Sequence, residues 1–190
     1  LIKIYQVNQG MTESERLKIA IVGGGLAGAL SARVLREKHD VTVYERSKGA
    51  SEVGAAINVG PNGVKILESL GFDRSKVGSL AVGRTKTWNK EGKIMLDTPL
   101  QCQQEYGADW LFNHRVDLRD EFLRLATAED SSLPGSPSKI QFGAEVVDVD
   151  VETGKLWLAD GGKIQADLII GMLQLKPHFT STLACPWLTL

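Results

Sequence analysis

The chain has 190 residues, 43% of them hydrophobic and 24% charged, with a formal net charge of -1. That length allows one well-buried domain and a small second lobe, and the near-neutral charge excludes a basic nucleic-acid surface. Two cysteines, Cys102 and Cys185, stand in no ligand-like spacing, which argues against a zinc site or a disulfide framework and for a reducing, cytoplasmic compartment.

Residues 1–16 read as a leader. Met11 falls just before the first convincing strand, so a natural start there, with residues 1–10 upstream of it, is expected. The uncharged stretch 19–32 is interrupted by Gly23, Gly24, Gly25 and Gly28 and is too short to cross a bilayer. Glu13 and Glu15 ahead of it oppose a signal peptide.

Residues 17–22 form a short Ile- and Val-rich run that meets glycines at once, the pattern of a central parallel strand covered on both faces. Residues 26–38 predict a helix, with Leu26, Leu30 and Val34 at helical spacing. Residues 41–45 predict a second strand. Strand, glycine turn, helix and strand make a βαβ unit, whose right-handed crossover sets the two strands parallel.

A second helix is expected over 61–70, opened by Pro61 and stopped by Gly71. Residues 80–88 and 93–96 flank Asn89-Lys90-Glu91-Gly92 and predict an antiparallel hairpin inserted outside the parallel sheet. A third helix is expected over 117–128, with Asp117 favouring its N-terminus. After a Ser-, Pro- and Gly-rich loop at 129–138, strands are expected over 139–142, 144–151, 155–159 and 165–170. Residues 172–190 hold two prolines, no acidic residue and no period, and read as an aberrant or unstructured tail.

Gly23-Gly24-Gly25-Leu26-Ala27-Gly28 fits G-x-G-x-x-G between a strand and a helix. Gly23 permits the tight turn, Gly25 lets a pyrophosphate approach the backbone, and Gly28 allows close packing of helix on sheet. The amides at that helix start, Leu26 and Ala27 among them, and its positive dipole end suit phosphate charge. Glu45 ends the second strand about twenty residues on, where a carboxylate can accept from ribose hydroxyls and repel a 2′-phosphate. The plainer alternative is a glycine-rich turn with a solvated Glu45. The motif alone leaves FAD and NAD open.

Gly23-x-Gly25-x-x-Gly28-x-x-x-Ala32-x-x-Leu35, closing on Val43-Tyr44-Glu45-Arg46, resembles the entry of FAD-dependent aromatic-ring monooxygenases of the salicylate hydroxylase-like class. Gly54-Ala55-Ala56-Ile57, leading into Pro61-Asn62-Gly63, resembles the loop that follows their second strand. His114-Arg115-Val116-Asp117-Leu118 resembles their Arg-x-Asp-Leu segment, and the resemblance implies that Arg115 contacts the FAD. Arg46 is expected near the adenine or ribose, or simply solvated at the strand end. His114 is expected to be structural.

The resemblance spans residues 17–171. It implies a Rossmann-like FAD-binding α/β fold, FAD as cofactor, NADH or NADPH as transient reductant, and a small aromatic ring and oxygen as substrates. No catalytic residue and no metal site is identified. The family's Asp-Gly after residues 167–171 and its later Gly-Asp segment are missing, so the chain is expected to end before the substrate lobe is complete and to be inactive alone. The alternatives are an NAD-binding dehydrogenase domain and a non-catalytic nucleotide-binding remnant.

Overall fold

The computed structural model describes residues 3–6 (backbone only), 16–49 and 55–172. The chain divides into two compact units, Leu1–Ser51 with Ala126–Leu190, and Glu52–Leu125.

The first unit is built on a five-stranded sheet. In chain order its strands are β1 (Lys3–Gln6), β2 (Lys18–Val22), β3 (Asp40–Glu45), β9 (Lys139–Phe142) and β13 (Leu168–Gly171). Their spatial order is β1-β13-β2-β3-β9. β13, β2, β3 and β9 are mutually parallel, and β1 closes the edge antiparallel to β13. Helix α1 (Leu26–Leu35) makes the crossover from β2 to β3, as the βαβ reading requires.

Alternation along β2 explains why it reads as apolar throughout. Ile19 and Ile21 join Ala32, Val41, Val43, Ala126 and Ile170 in one core. Ala20 and Val22 join Tyr44, Leu156, Ala166 and Ile169 in another. The second face is covered by a meander of β10 (Val146–Asp150), β11 (Lys155–Leu158) and β12 (Lys163–Gln165). Each large aliphatic side chain so buried contributes about 1.5–3 kcal/mol before chain entropy is counted.

α1 turns a different face to the sheet from the one its Leu spacing suggests. The buried positions are Gly28, Ala29, Ala32 and Arg33, while Val34 is 46% exposed. A helix seated close on a sheet selects small residues at the contact, and the larger aliphatics move to its flanks. The helix also stops at Leu35, three residues short of expectation.

The second unit contains β4 (Ala56–Val59), α2 (Pro61–Ser69), α3 (Arg74–Val77), β5 (Leu80–Ala81), β6 (Arg84–Trp88), β7 (Ile94–Pro99), α4 (Cys102–Tyr106), β8 (Leu111–His114) and most of α5 (Arg115–Thr127). β8 is the centre of a small antiparallel sheet ordered β4-β8-β5. Phe72 and Phe122, both buried, meet edge to face with ring centroids 6.4 Å apart.

Two expected strands are each split. Residues 80–88 divide into β5, which pairs with β8, and β6, which pairs with β7 in the expected hairpin. The break lies where the Val82 amide donates to the Trp110 carbonyl and the Leu100 amide to the Gly83 carbonyl. Residues 165–170 divide because β12 pairs antiparallel with β11, whereas β13 pairs parallel with β2. The Ala166 amide goes to the Gly154 carbonyl and the Asp167 amide to the Lys18 carbonyl, so the chain changes sheets between them.

Residues 173–190, Gly54 and most of the expected leader lie outside the described residues. β1 is an element that the sequence reading did not anticipate.

Candidate functional site

The site begins where β2 ends. Gly23 has φ +108°, a conformation open to glycine and strained for other residues, and its amide donates to the Tyr44 carbonyl at 2.8 Å. A Cβ placed on Gly28 would meet the Gly23 carbonyl oxygen at 1.9 Å and Ile21 Cγ2 at 3.4 Å. Only glycine lets this turn and the first turn of α1 come so near.

Gly25 is the N-cap of α1 with extended backbone and no side-chain cap, and the first turn carries no acidic residue. A Cβ on Gly25 would meet nothing within 4 Å. The Leu26 and Ala27 amides at the helix start have no acceptor within the helix, by helical geometry. An uncapped helix N-terminus behind a backbone with no side chain in front of it is a cradle for an anion. The residues present therefore fit a dinucleotide pyrophosphate.

Glu45 closes the site from the end of β3. Its Oε2 accepts from the Gly24 amide at 2.6 Å, and its Oε1 accepts from the Ser47 amide at 2.8 Å and the Ser47 hydroxyl at 2.7 Å. Gly24, left as a variable position by the motif, is held by the acidic residue itself. A Cβ there would lie 3.1 Å from Glu45 Cβ. Arg46 is exposed beside it.

The other expected residues lie in the second unit, where they form a group of their own. Ala56 faces His114 in the β4–β8 register, and the Arg115 amide donates to the Ala55 carbonyl at 3.0 Å. Arg115 is thus the first residue of α5, fixed at its backbone to the segment that carries Ala55 and Ala56. His114 Nδ1 is 3.3 Å from Asp117 Oδ2, an exposed pair at the helix start.

Beneath the cradle, Tyr44 is 6% exposed, and burial raises its phenol above the ordinary range while a hydrogen bond with Thr42 partly offsets this. Among the described residues no group of three or more His, Cys, Asp or Glu is arranged to hold a metal ion. Nor is any helix there long and apolar enough to cross a membrane. Sequence reading missed Gly24 and Ser47.

A model of the NAD(P)-binding Rossmann-like domain matches residues 21–65, which span the cradle, Glu45 and the start of α2. Similar curated proteins include hispidin-3-hydroxylase of Neonothopanus nambi, 31% identical over 157 residues, which covers 82% of this chain and 37% of that protein. The 3-amino-4-hydroxybenzoate 2-monooxygenase of Streptomyces cremeus is 35% identical over 161 residues, covering 82% and 39%. The FAD-dependent monooxygenase cfoG of Aspergillus candidus is 36% identical over 165 residues, covering 85% and 38%. Among solved structures, the tetrameric form of 2-methyl-3-hydroxypyridine-5-carboxylic acid oxygenase matches with a TM-score of 0.65 and 28% identity, covering 82% of this chain and 38% of that one. The chain thus spans about two fifths of the length of the relatives it matches. Over that shared stretch the chain is similar in sequence to these hydroxylases and monooxygenases, and in fold to the solved oxygenase.

Proposed function

We propose that this chain binds FAD and is the dinucleotide-binding portion of an NAD(P)H-dependent monooxygenase that hydroxylates a small aromatic compound. The observation that carries the reading is the joined Gly23–Gly28 turn and Glu45 carboxylate, in which Gly23 is required by its φ, Gly28 by close packing, and Gly24 is bonded to the carboxylate. The relatives' names supply the flavin and the substrate class. The cradle by itself supplies only the dinucleotide.

In this reading the Leu26 and Ala27 amides and the dipole of α1 hold the pyrophosphate. Glu45 accepts from the adenosine ribose and repels a 2′-phosphate, which disfavours NADP at this position. Ala55, Ala56 and Arg115 are a second set of contacts, with the Arg115 guanidinium matched to phosphate or ribityl oxygens by its planar fork of donors. Gly54 belongs to the same proposed set. Bound FAD, reduced by transient NADH or NADPH, supplies the oxygen chemistry, and the protein's part is to hold and orient it.

The test is titration of the full chain with FAD, followed by flavin fluorescence, beside the Arg115→Ala variant and NAD as competitor. FAD binding weakened by roughly tenfold in the variant supports the assignment, since a charge-assisted bond is worth about that much. Saturable binding of NAD with no response to FAD would make the domain a dehydrogenase-type module instead.

A further inference from the structure

We propose that Ser47 is a positioning residue of the nucleotide site, acting through Glu45. The inference rests on the dinucleotide reading of the cradle. It concerns how the Glu45 carboxylate comes to be aimed before any ligand arrives.

Three independent restraints converge on this short segment. Ser47 donates twice to Glu45 Oε1, through its amide at 2.8 Å and its hydroxyl at 2.7 Å. The Gly24 amide, from the other side of the crevice, donates to Oε2 at 2.6 Å. The backbone beneath is fastened as well. The Ala144 amide donates to the Glu45 carbonyl and the Gly143 amide to the Ser47 carbonyl, both at 3.0 Å. The turn that presents the Ser47 hydroxyl is therefore set by the β9–β10 junction and not by the side chains alone.

A similar local grip recurs at Asp73, at Asp150, and at Asp130, where Ser132 donates its amide and hydroxyl to Oδ1 within a loop. At Asp73, Ser75 donates its amide and hydroxyl to one oxygen and so caps α3. At Asp150, Thr153 closes the turn between β10 and β11. At Glu45 the gripped carboxylate also accepts from the Gly24 amide of the glycine turn. What the grip fixes there is the carboxylate itself. A flexible glutamate must otherwise give up side-chain freedom when it engages a ribose, and holding it beforehand removes part of that cost.

The experiment compares ADP with 2′-deoxy-ADP, titrated into the wild-type chain, Ser47→Ala and Ser47→Thr. Ser47 is exposed, so both variants are expected to unfold at the wild-type temperature. The expected result is a roughly three- to tenfold loss of ADP affinity in Ser47→Ala, with recovery in Ser47→Thr and no further loss for 2′-deoxy-ADP. Equal losses for both nucleotides would assign Ser47 a merely structural role and overturn the proposal. Unchanged ADP affinity in Ser47→Ala would overturn it as well. Should the wild-type chain bind neither ADP nor FAD, the dinucleotide reading fails first and the role of Ser47 falls with it.

Discussion

The Gly24 amide donates to Glu45 Oε2 at 2.6 Å, across 21 residues of chain. The glycine turn and the acidic strand end, which sequence treats as two marks at a fixed spacing, are one hydrogen-bonded unit. Its integrity rests on two different steric constraints. At Gly28 an added Cβ meets backbone, the Gly23 carbonyl at 1.9 Å, so the helix itself must move. At Gly24 it lies 3.1 Å from Glu45 Cβ, an atom fixed by the β3 backbone, so the turn must give by a few tenths of an ångström. Gly28→Ala is therefore expected to destabilise the fold by about 1–3 kcal/mol, as overpacking does. Gly24→Ala is expected to cost less stability than Gly28→Ala and to weaken nucleotide binding several-fold. Urea denaturation and ADP titration of both variants separate the two effects.

Arg36 is a buried anchor of the first unit. It is 1% exposed at the C-cap of α1, and its guanidinium donates to the Ala126 carbonyl at 3.1 Å. Its own carbonyl accepts from the Ser136 amide at 3.2 Å. Burial and the neighbouring Arg33 lower its pKa from the ordinary value. Replacing it by Met keeps the volume and deletes the charge-assisted bond, for an expected loss of about 1.5–3 kcal/mol. Chemical denaturation should show this as a lower midpoint with an unchanged slope.

Tyr44 gives a pH dependence with a definite sign. Burial raises its phenol in the folded state above the unfolded value, which lies near 10. The folded chain then holds that proton longer than the unfolded chain does. The stabilisation is fully present below the unfolded pKa and is lost as pH rises through the folded one. Tyr44→Phe is expected to flatten the decline in stability above about pH 10. Denaturation midpoints of the two proteins at neutral and alkaline pH check it, and parallel declines would contradict it.

The β6–β7 ribbon carries exposed apolar residues, with Met95 at 64%, Leu96 at 55% and Trp88 at 54%. An isolated two-stranded ribbon is marginal in water, and a cluster of this kind promotes association. Met95→Lys with Leu96→Thr is expected to reduce binding of a hydrophobic dye and self-association while leaving the melting temperature within a degree or two. Light scattering at increasing concentration is the check.

The βαβ unit was legible because its signals are local: glycines at a tight turn, β-branched runs, and a carboxylate at the strand end. β4 and β8 were not, because their pairing with one another, and that of β8 with β5, joins residues far apart in sequence, and no periodicity records it. The same reason divides residues 165–170, where one apolar-looking run serves two sheets. At the site, Glu45 was legible from spacing. The grip of Gly24 and Ser47 on it was not, since the strength of that grip depends on where residues 143–144 fasten the turn.

The most direct test of the central claim is the absorbance spectrum of the purified chain, with titration by FAD and identification of any cofactor released on denaturation. A flavin spectrum carried through purification, or regained stoichiometrically on adding FAD and lost in Gly28→Ala, is the result expected. A folded chain, verified by circular dichroism, that remains colourless and ignores FAD would contradict the claim.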